Sequence, residues 1–285
     1  MKIILSRKGF DSSFGGVPSP IFPDGRTLSL PIPDKSSPVK YEDIFYQGSS
    51  IGNLVSNLTG GRIPPYYRAH IDPDLRRDSL KHLPKWRPIF GQTGQAQSHL
   101  RNNNVGIGDL FLFFGLFRRV EMINGFYEWV RNAKPYHVIW GWLQVAEVLH
   151  LSELQLQGYE WAQYHPHFNR NAGPNNVVYV ACQRLKISGK ERDLPGAGVF
   201  SKYHRDLQLT ASQGDKLSLW ELPGWFFPEN RRPLTYHTDK HRWRKRGDRV
   251  ELESVARGQE FVLDCEEYPE ATHWALKLIE KHNGC

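Results

Sequence analysis

Gly108-Asp109-Leu110-Phe111-Leu112-Phe113-Phe114 sets five large apolar residues in a row directly behind a Gly-Asp turn. A run without polar alternation, bounded by a turn, reads as a strand buried on both faces. Arg118-Arg119 is expected to end it. Further along, Val138-Ile-Trp-Gly-Trp-Leu-Gln-Val-Ala-Glu-Val148 reads as a second strand, in which Gly141 marks a bend or bulge. Asn176-Val-Val-Tyr-Val-Ala-Cys182 reads as a third, continued by Leu185-Lys-Ile187 past Gln183-Arg184. Strands joined by loops rather than by helical crossovers point to a small mixed barrel, not to βαβ repeats.

The N-terminal third reads as loops over this scaffold. A short strand (Ile3, Ile4, Leu5) leads into Ser6-Arg-Lys-Gly-Phe-Asp-Ser-Ser-Phe-Gly-Gly16, and Pro23-Asp24-Gly25 is a turn signal. Leu28-Ser-Leu-Pro-Ile-Pro33 is extended, and its prolines confine it to an edge. Tyr41 to Leu58 has weak helical character, and the Pro- and Arg-rich stretch from Arg62 to Pro88 reads as ordered loop. At the other end, Ser218-Leu-Trp-Glu-Leu222 is extended. Pro269 opens a helix with Ala271, Trp274, Ala275, Leu278 and Ile279 on one face, ended by Gly284. The expectation is a single α+β domain over residues 1–285, with a mixed β-barrel core at about 90–190, long loops and a C-terminal helix.

Composition excludes several classes. With 9 Trp, 12 Tyr and 15 Phe, the chain has too many aromatics to remain unfolded. Its most apolar stretch, Leu110 to Phe117, is less than half of the ~20 residues a membrane-spanning helix needs. Arg7 and Lys8 interrupt the N-terminus before a signal-peptide core can form. Cys182, Cys265 and Cys285 are odd in number and lack CxxC spacing, so neither a disulfide framework nor a zinc ribbon is expected, and a reducing cytoplasm is. A net charge of +7 favours a polyanionic partner, nucleic acid first.

Each chemically suggestive residue has a plain structural alternative. Arg7, Lys8 and Asp11 sit in a Gly-bordered loop that suits phosphate binding and acid–base work, or Asp11 simply bonds its own turn. His165-Pro-His167 suits proton transfer. Its spacing also suits a metal, but spacing places no third ligand, so neither metal nor cofactor is expected. Trp140 and Trp142 alternate on one strand and should share a face, toward the core or toward a stacked base. Cys182 is a buried thiol or, facing a pocket, a nucleophile. Glu260 lies in Gln259-Glu-Phe-Val-Leu-Asp264, where alternation points it away from Phe261 and Leu263, to solvent or a cleft. Between Arg231 and Arg249 eight Lys/Arg, including Arg242 and Arg244, are interleaved with Tyr236, His237, His241 and Trp243. That make-up suits a nucleic-acid surface or a solvated loop.

Several segments together resemble a known family. Ser6-Arg-Lys-Gly-Phe-Asp11, Gly15-Gly16, Pro18-Ser-Pro-Ile21 and Pro23-Asp-Gly25 look like the opening of the nucleotide-modification-associated domain 3 family. So do Gly91-Gln92 with His99-Leu100, the Gly108–Gly115 strand, Leu222-Pro-Gly-Trp-Phe226 and Gly258-Gln-Glu-Phe-Val262. The resemblance runs from Met1 to about Ile279. It implies a bacterial or phage protein in a pathway that alters DNA bases, acting beside other proteins of that pathway. It further implies hydration of the nitrile of 7-cyano-7-deazaguanine in DNA to the carboxamide. The Gly-Asp turn and the tryptophan strand also resemble PUA-like barrels of base-reading domains. On this view double-stranded DNA lies on Arg7, His99, Arg118, Arg119, His167, Arg242 and Arg244. An extruded base stacks on Trp140 or Trp142, and Lys8, Asp11, His165, Cys182 and Glu260 are the catalytic candidates. A non-catalytic reader of a modified base is the alternative, and a nuclease acting on modified DNA the third.

Overall fold

The apolar run after Gly108 becomes the middle of a nine-stranded mixed sheet. The computed structural model describes residues 1–153, 157–169, 173–213 and 216–283. In chain order the strands of this sheet are β1 (Lys2–Arg7), β2 (Ser19–Ile21), β3 (Ile89–Gln92), β4 (Leu110–Ile123), β5 (Phe126–Trp129), β6 (Tyr136–His150), β7 (Val177–Ala181), β8 (Ala197–Val199) and β9 (Glu260–Asp264). Hydrogen bonding runs β9-β1-β4-β6-β7-β3, with β2 and β5 on β4 and β8 on β6. Strand β1 is antiparallel to β9 and parallel to β4, so it lies inside the sheet between β4 and the terminal strand β9.

Residues Leu110 to Phe114 are buried on both sides of the sheet, as an unbroken apolar run requires. Phe111 and Phe113 pack against Phe90 on one side, while Phe114 meets Trp220 and Phe261 on the other. Three helices complete the described chain: α1 (Gly52–Leu58), α2 (Gly94–Asn102) and α3 (Pro269–His282). Helix α3 starts at the expected proline and buries Ala271, Ala275, Leu278 and Ile279. Gly284, expected to end it, lies outside the described residues. A smaller antiparallel sheet joins Leu219–Pro223, Arg249–Glu253 and Trp243–Arg246. Among the described residues no helix is long and apolar enough to cross a membrane.

Four expectations need correction. The main sheet is open, its hydrogen-bonded path ending at β9 and β3, so there is no closed barrel. Closure depends on which distant strands pair, and local pattern carries no information on that. Arg118 and Arg119 do not end β4. The strand continues to Ile123 and turns back as β5, with Arg118 lying over the Trp129 ring and donating to Val130 O. Leu185–Ile187 does not prolong β7 but forms a separate hairpin with Lys190–Pro195. Finally, Trp140 and Trp142 do not share a face. The expected irregularity at Gly141 is present: Ile139 pairs with Phe114 and Gly141 with Phe113, which leaves Trp140 as the extra, bulged residue. Trp140 then packs on Phe113, whereas Trp142, opposite Leu112, packs on Phe200.

Candidate functional site

Two cavities meet at Gly9, in the loop that follows β1. The first, of about 380 Å³, is walled by Gly9 and Ser29, by Trp140, by Phe45 and Tyr46, and by the segment Asp72–Ser79. Trp140 is 7% exposed and its Nε1–H makes no hydrogen bond, whereas Trp142 is 2% exposed and donates to Pro195 O at 3.1 Å. Only Trp140 borders the cavity. The second cavity, of about 370 Å³, is lined by Arg7, Lys8, Asp11, His137 and Lys216 among others.

Behind the acidic wall of the first cavity lies a buried polar cluster. Asp72 is contributed by the Pro- and Arg-rich loop after the short strand Ala69–His70, and its Oδ1 accepts from Gly91 N of β3 at 2.7 Å. Three imidazoles surround its carboxylate. His70 Nε2 and His167 Nε2 are each 3.6 Å from Oδ2, and His165 Nε2 is 3.3 Å from Oδ1. The outer ring nitrogens of two of them are fixed: His70 Nδ1 donates to Asp34 Oδ2 at 2.8 Å and His167 Nδ1 to Asn176 Oδ1 at 2.6 Å. Burial opposes charge on Asp72, but the three histidines win and hold its carboxyl well below the usual range. Burial lowers His165 despite Asp72. Next along the wall, Asp74 accepts from Ser79 Oγ at 2.9 Å, His82 Nε2 at 2.7 Å and the Tyr164 hydroxyl.

Packing around this cluster leaves no space at Gly91. A Cβ there would lie 2.3 Å from His167 Cδ2, whereas one at Gly106 would meet nothing within 4 Å. Gly91→Ala is therefore expected to lower stability by about 1–3 kcal/mol through overpacking. Gly106→Ala should leave it unchanged. Urea unfolding of both variants checks this, and equal midpoints would refute the tight fit of His167 under β3.

A second buried group joins three separate parts of the chain. Glu260, 1% exposed at the start of β9, accepts from Lys8 Nζ at 3.0 Å and from Gln92 Nε2 at 2.6 Å. Its Oε2 has no hydrogen-bond partner. Because β9 is covered on both sides, Glu260 faces neither solvent nor an open cleft, contrary to the alternation argument.

The remaining candidates are dispersed. Asp11 Oδ1 accepts from Ser13 N and Phe14 N, the local turn anticipated as its structural alternative. Arg7 donates to Val255 O and Ala256 O, so it ties down a loop beside the second cavity. Cys182 lines neither cavity, and burial pushes its thiol up. His99 on α2 contacts Thr235 Oγ1 at 3.1 Å and packs on Tyr236; Arg119 lies over Tyr203. In the basic segment Arg242 donates to Glu253 O and Arg244 is exposed. Its neighbours Arg231, Arg232, Lys245, Arg246 and Arg249 each pair with a glutamate. Lys8, Asp11, His165, Cys182 and Glu260 thus do not line one cavity.

Sequence reasoning missed His70, Asp72, Asp34 and Asn176. The available signal was His70-Ile-Asp72, an alternating pair of metal-ligand residue types inside a stretch read as ordered loop.

The model of nucleotide modification associated domain 3 matches residues 2–264, a range that includes Lys8, Gln92 and Glu260. The chain belongs to this family. As a nucleotide modification associated domain 3 protein it is tied to the modification of nucleotides, consistent with DNA as the partner. No curated protein and no solved structure matches it.

Proposed function

We propose that this protein chemically alters a base of double-stranded DNA that has been swung out of the helix into the first cavity. The observation that carries this reading is the shared wall of Gly9 and Trp140: the opening loop and the tryptophan strand enclose one concavity of about 380 Å³. That is near the lower end of ligand pockets, roughly 300–1,000 Å³, and suits a single heterocycle. An enzyme acting on a base must take it out of the stack and hold it against aromatic and apolar faces. Trp140, Phe45 and Tyr46 supply such faces. The wall formed by Asp72, Asp74 and Asp78 is acceptor-rich and complements a guanine-type base, whose pairing edge carries N–H donors. The cationic second cavity adjoins across Gly9 and suits the phosphate of the same nucleotide.

The specific reaction we propose is hydration of the nitrile of 7-cyano-7-deazaguanine. Water oxygen bonds to the nitrile carbon, the nitrogen takes up the protons, and the carboxamide results. Proton transfer falls to His165, whose Nε2 stands 3.3 Å from the carboxylate of Asp72 at the cavity wall. Asp11 and Glu260 are less suited as bases, since both are committed to protein partners.

The test is mass spectrometry of nucleosides from nitrile-bearing duplex DNA incubated with the purified protein. A gain of one water is expected, and Trp140→Ala should abolish it. Unchanged nucleosides with retained, Trp140-dependent binding would replace the enzyme with a reader of the modified base. Strand cleavage would make it a nuclease.

A further inference from the structure

The distances around Asp72 carry an inference that stands whether or not the reaction is nitrile hydration. His70 and His167 each direct the N–H of Nδ1 outward, to Asp34 and Asn176. In a neutral imidazole the other nitrogen, Nε2, is then a lone-pair acceptor. Both Nε2 atoms point at Asp72 Oδ2, another acceptor, from 3.6 Å, beyond hydrogen-bond length. Three acceptors converging without a donor between them repel one another unless a cation, a proton on one imidazole or a metal ion, sits among them. His165 strengthens the point: it is 0% exposed, neither ring nitrogen makes a hydrogen bond, and Nε2 lies 3.3 Å from Asp72 Oδ1.

We propose that His70 Nε2, the Asp72 carboxylate and His167 Nε2 form a binding site for a divalent first-row transition-metal ion, with His165 alongside as a potential fourth ligand. The donor atoms of the first three lie within 4.8 Å of one another. Ligands about 2.0–2.1 Å from one ion stand roughly 3.3 Å apart in a tetrahedron, close to the 3.6 Å between each imidazole and the Asp72 carboxylate. Asp34 and Asn176 supply the outer hydrogen bonds that metal-binding imidazoles need, fixing tautomer and ring orientation. Two or three imidazoles with one carboxylate favour zinc, iron, cobalt or nickel over magnesium or calcium, which prefer oxygen throughout. Asp72 also lines the first cavity, so the ion would sit at the inner edge of the proposed base pocket.

The test uses cobalt(II) as the probe on the full chain stripped of metal by chelation. Visible absorption should report one cobalt per chain with nitrogen–oxygen coordination, displaced by zinc. His70→Ala and His167→Ala should each weaken binding at least tenfold. His204→Ala should not, because His204 packs on His282 elsewhere. Circular dichroism establishes that each variant is folded. Should a cluster variant not fold, X-ray absorption on the cobalt-loaded wild type counts imidazole ligands directly. Two or three imidazoles uphold the site. An absence of stoichiometric binding, an all-oxygen shell, or undiminished binding by folded variants overturns it. Each outcome is read from the metal itself, so loss of the site and loss of the proposed reaction remain distinguishable.

Discussion

Replacing Lys8 by methionine is expected to cost about 3–5 kcal/mol of folding stability, the range for removing one partner of a buried ion pair. The Lys8 ammonium also lies 4.5 Å from the centroid of the Phe90 ring, so a cation–π contact is lost with the charge. The larger part of the loss comes from the glutamate left behind. Glu260 is 1% exposed, one of its oxygens already lacks a partner, and Gln92 alone remains to satisfy the other. Neutralising both ends should therefore recover much of the loss, because an uncharged pair of similar volume avoids the desolvation penalty. Chemical denaturation of Lys8→Met, Glu260→Gln and the double variant forms the cycle that decides this. If the double variant is destabilised by the sum of the two single changes, the pair is not coupled and the account fails.

Acidification is expected to destabilise the fold through two histidines that do not belong to the Asp72 cluster. His137 accepts the Trp220 Nε1–H at 3.0 Å, and His237 Nε2 accepts from Val255 N at 3.2 Å. Each therefore uses a ring nitrogen that protonation would convert to a donor. Burial, chiefly, lowers His137 to about 3 and His237 to about 4. An unfolded histidine titrates near 6.5, so between those values the unfolded chain binds more protons than the folded one. Stability is then fully present above about pH 6.5 and lost as pH falls through this window. Each group contributes about 1.4 kcal/mol per pH unit, or on the order of 2 kcal/mol apiece by pH 5. Unfolding free energies at pH 7 and pH 5 should show this fall, and His237→Asn should flatten it by about half of the two-histidine share. An identical pH slope in wild type and variant would remove His237 from the explanation.

The parts of the fold legible in sequence were those set by local pattern. Leu110–Phe114 could hardly be other than a doubly covered strand, and Gly141 marked a bulge because a backbone without Cβ tolerates one. In place, a Cβ there would meet Leu75 at 2.8 Å and Gly198 O at 3.0 Å. What stayed hidden depends on separation along the chain. Asp72 meets His165 and His167 across more than ninety intervening residues, and no local spacing encodes that meeting. Charge pairing was only partly local. Glu229 and Glu251, which flank the basic run, pair with Lys245 and Arg246, whereas Glu221, Glu267 and Glu270 come from farther away along the chain. Periodicity misled at Glu260 because alternation presumes that one side of the strand is wet, and β9 has no wet side.

Strand β9 pairs with β1 although about 250 residues separate them in sequence. A ribosome, working from the N-terminus, therefore delivers β1 and its Lys8 ammonium long before the carboxylate that neutralises it. Until residues 260–264 have emerged, the first strand has one unclaimed edge and an unmatched cation, so the nascent protein can complete its central sheet only after that segment is made.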